Sequence, residues 1–200
     1  MKAPFQYKIA RALLYLLFRI IFGLEIEGIS NVPKEGSVII APNHRSNYDP
    51  LLVGCCVDSR DVYYLAKSGL FTSKAVACFL RSLNVIPVDL EKPTVGALRT
   101  FVNLLKKGKA IMVFPEGTRS RTNKYLKALP GVGYLAVRTN STVIPTLIEG
   151  TYESMTRHFL RRSPLRVRFG TPIYPENEVK SVKEAEALSI KILKEVKRLA

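Results

Sequence analysis

An α/β fold, with a mainly parallel central sheet flanked by helices and an N-terminal amphipathic membrane-associated helix, is what this sequence predicts. Three observations lead there. After Gly23 the hydrophobic pattern alternates between short β-rich runs and longer stretches of helical period, as strands and crossover helices do. Within that alternation AIMVF (110–114) is apolar throughout, the pattern of a central strand covered on both faces. Ahead of it, the opening segment is apolar with basic punctuation. A chain of 200 residues suffices for one domain with a real core but hardly for two. Residues 1–23 are therefore expected to form the membrane-surface helix, and 24–200 the α/β domain.

The first element is a helix over Tyr7–Phe22. At about 24 Å it is shorter than a ~30 Å hydrocarbon core. Its uninterrupted apolar run is only Ala12–Phe18, and no small-residue cleavage site follows. Lying in the plane of a membrane surface, it would bury Leu13, Leu14, Leu17, Ile20 and Ile21 and send Lys2, Lys8, Arg11 and Arg19 to lipid phosphates. The other reading packs the same helix on the protein's own core. Strands are predicted at Ser37–Ala41, Val62–Ala66, Val85–Val88, Ala110–Phe114, Thr142–Ile148 and Leu165–Phe169. Helices are predicted at Pro50–Val57, Leu70–Leu83, Thr94–Lys106 and Gly131–Arg138. From Ser181, Val182, Ala185, Leu188, Ile192, Val196 and Leu199 recur at steps of three and four, predicting a packed helix with a solvated outer face.

Thirty-one basic against sixteen acidic residues leave a net charge of +15, which calls for an anionic partner: nucleic acid, a phosphorylated metabolite or an acidic membrane surface. The basic residues are dispersed, with one dense cluster at Arg157, Arg161, Arg162, Arg166 and Arg168, and no nucleic-acid-binding module is recognisable. Cys55, Cys56 and Cys78 are an odd set that fits neither a disulfide framework nor zinc spacing. His44 and His158 are the only imidazoles, so no metal site is expected.

Ligands of parallel α/β sheets gather beyond the carboxyl ends of strands, and two loops leave such ends with chemical groups. The first is PNHRSNYDP (42–50). His44 and Asp49 are five residues apart, about 140° apart on a helix and on opposite faces of a strand, so they meet only if the segment turns. Asn47 and Asp49-Pro50 supply turn and helix-start chemistry. A carboxylate on one ring nitrogen would fix the tautomer and leave the other nitrogen able to take a proton, making His44 a general base. Alternatively, Asp49 caps a helix and His44 merely closes a loop. The second loop is FPEGTRSR (114–121). Its glycine turn exposes backbone N–H groups, Thr118 and Ser120 add hydroxyls, and Arg119 offers a planar fork for phosphate oxygens. Glu116 would position Arg119 or a substrate hydroxyl, or the whole could be an ordinary strand exit with a surface ion pair.

In this order the two loops resemble the first and third motifs of the glycerolipid acyltransferase family, NHRSNYDP and FPEGTRS. Residues from Tyr64 to Phe71 resemble its AK..LF stretch, Val143-Ile144-Pro145 its fourth motif, and Phe169 to Pro172 its closing strand and turn. The resemblance runs from about residue 25 to 175. It implies acyl transfer from acyl-CoA or acyl carrier protein to a lysophospholipid hydroxyl, that of lysophosphatidic acid first, at the cytoplasmic face of a membrane. It implies His44 as the base, Asp49 as its orienting carboxylate, and Glu116, Gly117, Thr118 and Arg119 as holders of the glycerol phosphate. Lys67 is a candidate oxyanion or phosphate helper, and neither cofactor nor metal is implied. The basic cluster would then meet anionic lipid or the acidic acyl carrier. One departure stands out. The second motif usually begins with Gly and ends with a phosphate-binding Arg, but here Asn84 and Leu90 occupy those places. Lys92, Arg81 or Arg121 would replace that charge, or the acceptor is another lysolipid. A hydrolase using His44 to activate water is the remaining enzymatic alternative. Acyl-chain length would be set by a tunnel, with Cys78, Phe79 and Leu80 among its candidate walls.

Overall fold

Short apolar runs become the strands β1 (Glu25–Glu27), β2 (Val38–Pro42), β3 (Val62–Lys67), β4 (Val85–Val88), β5 (Ala110–Met112), β6 (Thr142–Glu149) and β7 (Arg166–Phe169). The helices are α1 (Phe5–Phe22), α2 (Asp49–Cys56), α3 (Lys74–Ser82), α4 (Val95–Lys106), α5 (Gly131–Arg138) and α6 (Val182–Arg198). The structure is a computed structural model that describes residues 5–88, 95–122, 124–152, 164–175 and 181–200. Lys2, Leu90, Lys92, Arg157, His158, Arg161 and Arg162 lie outside the described residues.

The sheet order is β1-β7-β6-β2-β5-β3-β4. From β6 to β4 every pairing is parallel, while β7 runs antiparallel to β6 and carries β1 parallel to itself. Strand alternation divides the core into two layers. Val38 and Ile40 face one layer with Leu52 and Val53 of α2 and Phe18 and Phe22 of α1. Ile39 and Ala41 face the other, with Phe101 and Leu105 of α4, Val132 and Leu135 of α5, and Ile192 of α6. All of β2 is buried, as its near-continuous apolar sequence requires.

Several boundaries shift for physical reasons. β1 was not foreseen: EIE is short and its glutamates are exposed, but its register sets Glu25 against Arg166 and Glu27 against Arg168. Both arginines form ion pairs with these partners, and Arg168 also pairs with Glu149 and donates to the Leu199 carbonyl. Two of the five arginines of the expected basic cluster are thus ion-paired within the fold. β5 ends at Met112, two residues early, because Phe114 leaves the sheet ahead of Pro115, which has no N–H to give. Helix α3 starts at Lys74, where the Ser73 hydroxyl accepts from the Val76 N–H at 3.2 Å; the preceding residues Ser68–Leu70 form a 3-10 turn.

The first helix divides its apolar residues between two surroundings. Tyr7, Phe18 and Phe22 are buried, and Ala10, Leu14 and Ile21 pack against the same core. Leu14 and Ile21, both half-buried, therefore contribute to the fold. Leu13, Leu17 and Ile20 remain exposed, joined by Phe5, Ile9 and Leu16. Arg19 turns back to donate to the Leu24 carbonyl at the helix end. Tyr7 anchors the start by accepting from the Val62 N–H, and burial pushes the Tyr7 and Tyr64 phenols above their ordinary ionisation range, so both stay neutral. No helix among the described residues is long and apolar enough to cross a membrane. In α6 the predicted inward face holds except at Val182, which opens the helix and is exposed.

Helices α5 and α6 touch through Gly133, whose N–H donates to Ser189 Oγ at 2.9 Å. A Cβ there would collide with the Ala185 carbonyl oxygen. Gly133→Ala is expected to force α6 outward and cost about 1–3 kcal/mol, seen as a lower urea midpoint at unchanged m.

Candidate active site

Because β2 and β5 are adjacent and parallel, the loops after them leave the same edge of the sheet side by side. In the first loop the chain turns after His44. The Asp49 N–H reaches the Ser46 carbonyl at 3.3 Å, and α2 begins at Asp49 with Pro50 in its first turn. The turn brings His44 Nδ1 to within 2.8 Å of Asp49 Oδ2. The same oxygen accepts the N–H groups of Arg45 at 2.6 Å and Ser46 at 2.8 Å. Asp49 is thus no N-cap; that place belongs to Tyr48, which makes no side-chain cap. Its carboxylate points back into the loop, fully buried.

Against an ionised carboxylate Nδ1 is the donor, and in a neutral ring Nε2 would then present its lone pair. Nε2 makes no protein hydrogen bond among the described residues, and the His44 side chain is 15% exposed. Its ring lies on Phe114, centroids 3.8 Å apart and planes inclined 14°. Carboxylate on one edge and aromatic face below fix the imidazole in two directions.

The second loop departs from expectation at Glu116. Its side chain is wholly buried and holds no exposed cation. Oε1 accepts the His44 N–H at 3.1 Å, and Oε2 accepts Arg45 Nη1 at 3.2 Å and the Leu126 N–H at 2.6 Å. Arg119 is not what this carboxylate meets; it clasps the two loops together. A second tie runs from the Ser120 N–H to the His44 carbonyl at 3.0 Å. Gly117, Thr118 and Arg119 are exposed between these ties, which bracket them beside His44. Gly117 has φ +67°, the left-handed region that favours glycine, while the Leu129 methyl that a Cβ would meet belongs to an exposed side chain that can turn aside. Lys67 is exposed at the carboxyl end of β3, on the same edge. Arg81, one of the candidates to replace the missing arginine, lies on α3 and lines a groove of about 640 Å³ with Phe71, Ser73 and Lys74.

Sequence reasoning missed three supports. Asn43 Nδ2 donates to the Ile148 carbonyl at 2.9 Å and its Oδ1 accepts the Ile148 N–H at 2.7 Å, locking the loop to the end of β6. Arg45 is buried and stacks on Tyr125, 4.6 Å from the ring centroid. Phe114 is the third. An Asn, an Arg and a Phe in loops give no local sign of such roles. Among the described residues no group of three His, Cys, Asp or Glu side chains is placed to hold a metal.

Glu116→Ala leaves Arg45 buried without its partner, and a loss of about 3–5 kcal/mol in unfolding free energy is expected. Arg119→Ala, at an exposed position, is expected to stay within about 0.5 kcal/mol of the parent. Denaturant titration of both variants separates clasp from surface ligand.

Comparison with known proteins gives the chain a family. The family model described as Acyltransferase matches residues 23–149, more than half the chain, and contains both loops. A 1-acyl-sn-glycerol-3-phosphate acyltransferase of Bacillus subtilis is 25% identical over 169 residues, covering 84% of this chain and 83% of that protein. The enzyme of the same description from Streptococcus pneumoniae is 26% identical over 172 residues, with 84% and 62% covered. The crystal structure of PlsC, the 1-acyl-sn-glycerophosphate acyltransferase of Thermotoga maritima, superposes with a TM-score of 0.74 at 28% identity, over 96% of this chain and 79% of that one. The chain belongs to the Acyltransferase family and is an acyltransferase enzyme.

Proposed function

We propose that the protein transfers a fatty acyl group from an acyl thioester, acyl-CoA or acyl carrier protein, to the sn-2 hydroxyl of 1-acylglycerol-3-phosphate, giving phosphatidic acid. The observation that carries this reading is the 2.8 Å contact between His44 Nδ1 and Asp49 Oδ2, which leaves Nε2 outward beside the exposed segment Gly117–Arg119. The names of the relatives supply the acceptor.

Nε2 takes the hydroxyl proton as the sn-2 oxygen bonds to the thioester carbonyl carbon. The tetrahedral intermediate then collapses, the C–S bond breaks, and the departing thiolate recovers the proton from Nε2. Histidine returns to its starting tautomer and no acyl-enzyme forms. Asp49 offsets the charge of the transient imidazolium. Arg119 and Thr118 take the acceptor phosphate, presented by the tight turn at Gly117, whose own N–H donates to the Phe114 carbonyl at 3.0 Å. Lys67 serves the oxyanion or the same phosphate from the neighbouring strand end. No step calls for a cofactor or metal. The exposed apolar residues of α1 lie in a membrane surface on its cytoplasmic side, where both lipid acceptor and thioester donor are within reach. One observation favours a different acceptor: Leu90 stands where the family usually has arginine, and another lysophospholipid would need that charge less.

His44→Ala is expected to lower the rate of phosphatidic acid formation by about 10²–10⁴ with the fold intact. Arg119→Ala is expected to raise KM for lysophosphatidic acid at least about tenfold while leaving KM for the donor unchanged. Chromatography of labelled product, with lysophosphatidic acid and other lysolipids offered in parallel, reads both effects. A preference for an acceptor without a phosphomonoester would replace lysophosphatidic acid with that lipid.

A further inference from the structure

The two helical layers differ in what they show to solvent. Along α4, α5 and α6 the exposed large apolar residues are scattered: Tyr134, Val182 and Ile190. The opposite layer, formed by α1, α2 and α3, exposes a run along α1 and a second group not explained by it. Leu70 is 57% exposed, Phe79 50% and Val76 38%, on α3 and the turn before it. Phe79 and Cys78, candidate tunnel walls by sequence, are exposed, and only Leu80 packs inward. Helices α1 and α3 are in contact, and Gln6 of α1 lines one groove with Lys74, Cys78 and Arg81 of α3, so the start of α1 and the outer side of α3 are continuous.

Charge indicates what covers that surface. Neither α1 nor α3 contains an acidic residue, while Lys8, Arg11, Arg19, Lys74 and Arg81 lie among the apolar side chains. A second copy of the chain would bring these cations against one another. An anionic bilayer accepts both components, with apolar side chains in the acyl boundary and basic ones at the phosphates. We propose that α3 and its preceding turn are a second membrane contact, so that the protein docks on an anionic bilayer through two elements and not through α1 alone.

The second contact fixes orientation. A single in-plane helix leaves the domain free to roll about that helix axis. Leu70 lies just past the end of β3, on the sheet edge from which the His44 and Arg119 loops also leave. Pinning Leu70 and Phe79 in the lipid turns this edge, and the mouth of the site, toward the headgroups. The inference rests on the reading of the protein as an enzyme of membrane lipids, but its test needs no substrate and can fail separately.

The chain has no tryptophan, so single substitutions give unambiguous fluorescent reporters. Leu70→Trp, Phe79→Trp, Leu13→Trp and Tyr134→Trp all replace exposed side chains. With vesicles of phosphatidylglycerol and brominated phosphatidylcholine, the first three variants are expected to be quenched and Tyr134→Trp is not. The double substitution Leu70→Ser, Phe79→Ser is expected to weaken vesicle partitioning roughly tenfold or more. Arg81→Gln is expected to weaken it roughly fivefold, a loss that fades at high salt. Quenching of Leu13→Trp alone would overturn the proposal in favour of docking through α1 only. A blue shift of Phe79→Trp that follows protein concentration and ignores lipid would overturn it in favour of a dimer. Absence of acyl transfer with quenching intact would instead count against the proposed reaction.

Discussion

The buried carboxylate of Glu116 is the constraint on which the site depends. It contributes one acceptor each to the His44 N–H, the Arg45 guanidinium and the Leu126 N–H. Two separate stretches of chain, 44–45 and 126, are thereby fixed to a third, at the cost of desolvating a charge that the Arg45 cation offsets. The return is positional. A general base works when its nitrogen stands within hydrogen-bond reach of the proton it removes, and small displacements forfeit orders of magnitude. Asp49 holds the imidazole ring, and Glu116 holds the backbone from which that ring hangs.

This arrangement is possible because of strand order. The connection from β2 to β3 leaves a place in the sheet that β5 later fills, so β5 lies directly beside β2. Loops far apart in sequence then emerge in parallel at one edge. Asn43 ties the first to β6, and Ser120 ties the second to the first. The exposed stretch Gly117–Arg119 stays open only because its two ends are anchored. Buried polar groups thus frame the site, while the groups proposed to touch substrate lie exposed between them.

How much of this was legible in the sequence follows from the range of the interactions involved. Helix α5 lies where predicted because its apolar period and flanking proline are local signals. The meeting of His44 and Asp49 was foreseeable because Asn47 and Asp49-Pro50 announce a turn. β1 was not, since two exposed glutamates in three residues carry no strand signal and its stabilising arginines lie some 140 positions away. The inward turn of Glu116 was equally hidden. Its partner Arg45 comes from another loop, and nothing local distinguishes a buried ion pair from a surface one. The start of α3 could have been found, because Ser73 is a good N-cap residue. The split face of α1 illustrates a further limit: a helix apolar almost all round does not say which residues meet the core and which are left outside.

The central claim is that His44 activates the acceptor hydroxyl directly, with no acyl-enzyme and no attack by water. Thiol release from a long-chain acyl-CoA or acyl carrier protein, followed with and without lysophosphatidic acid, tests it most directly. The account predicts release that requires the acceptor, matches phosphatidic acid mole for mole, and collapses in His44→Ala. Thiol release that proceeds equally well without acceptor, yielding free fatty acid, would contradict it and make the protein a thioesterase.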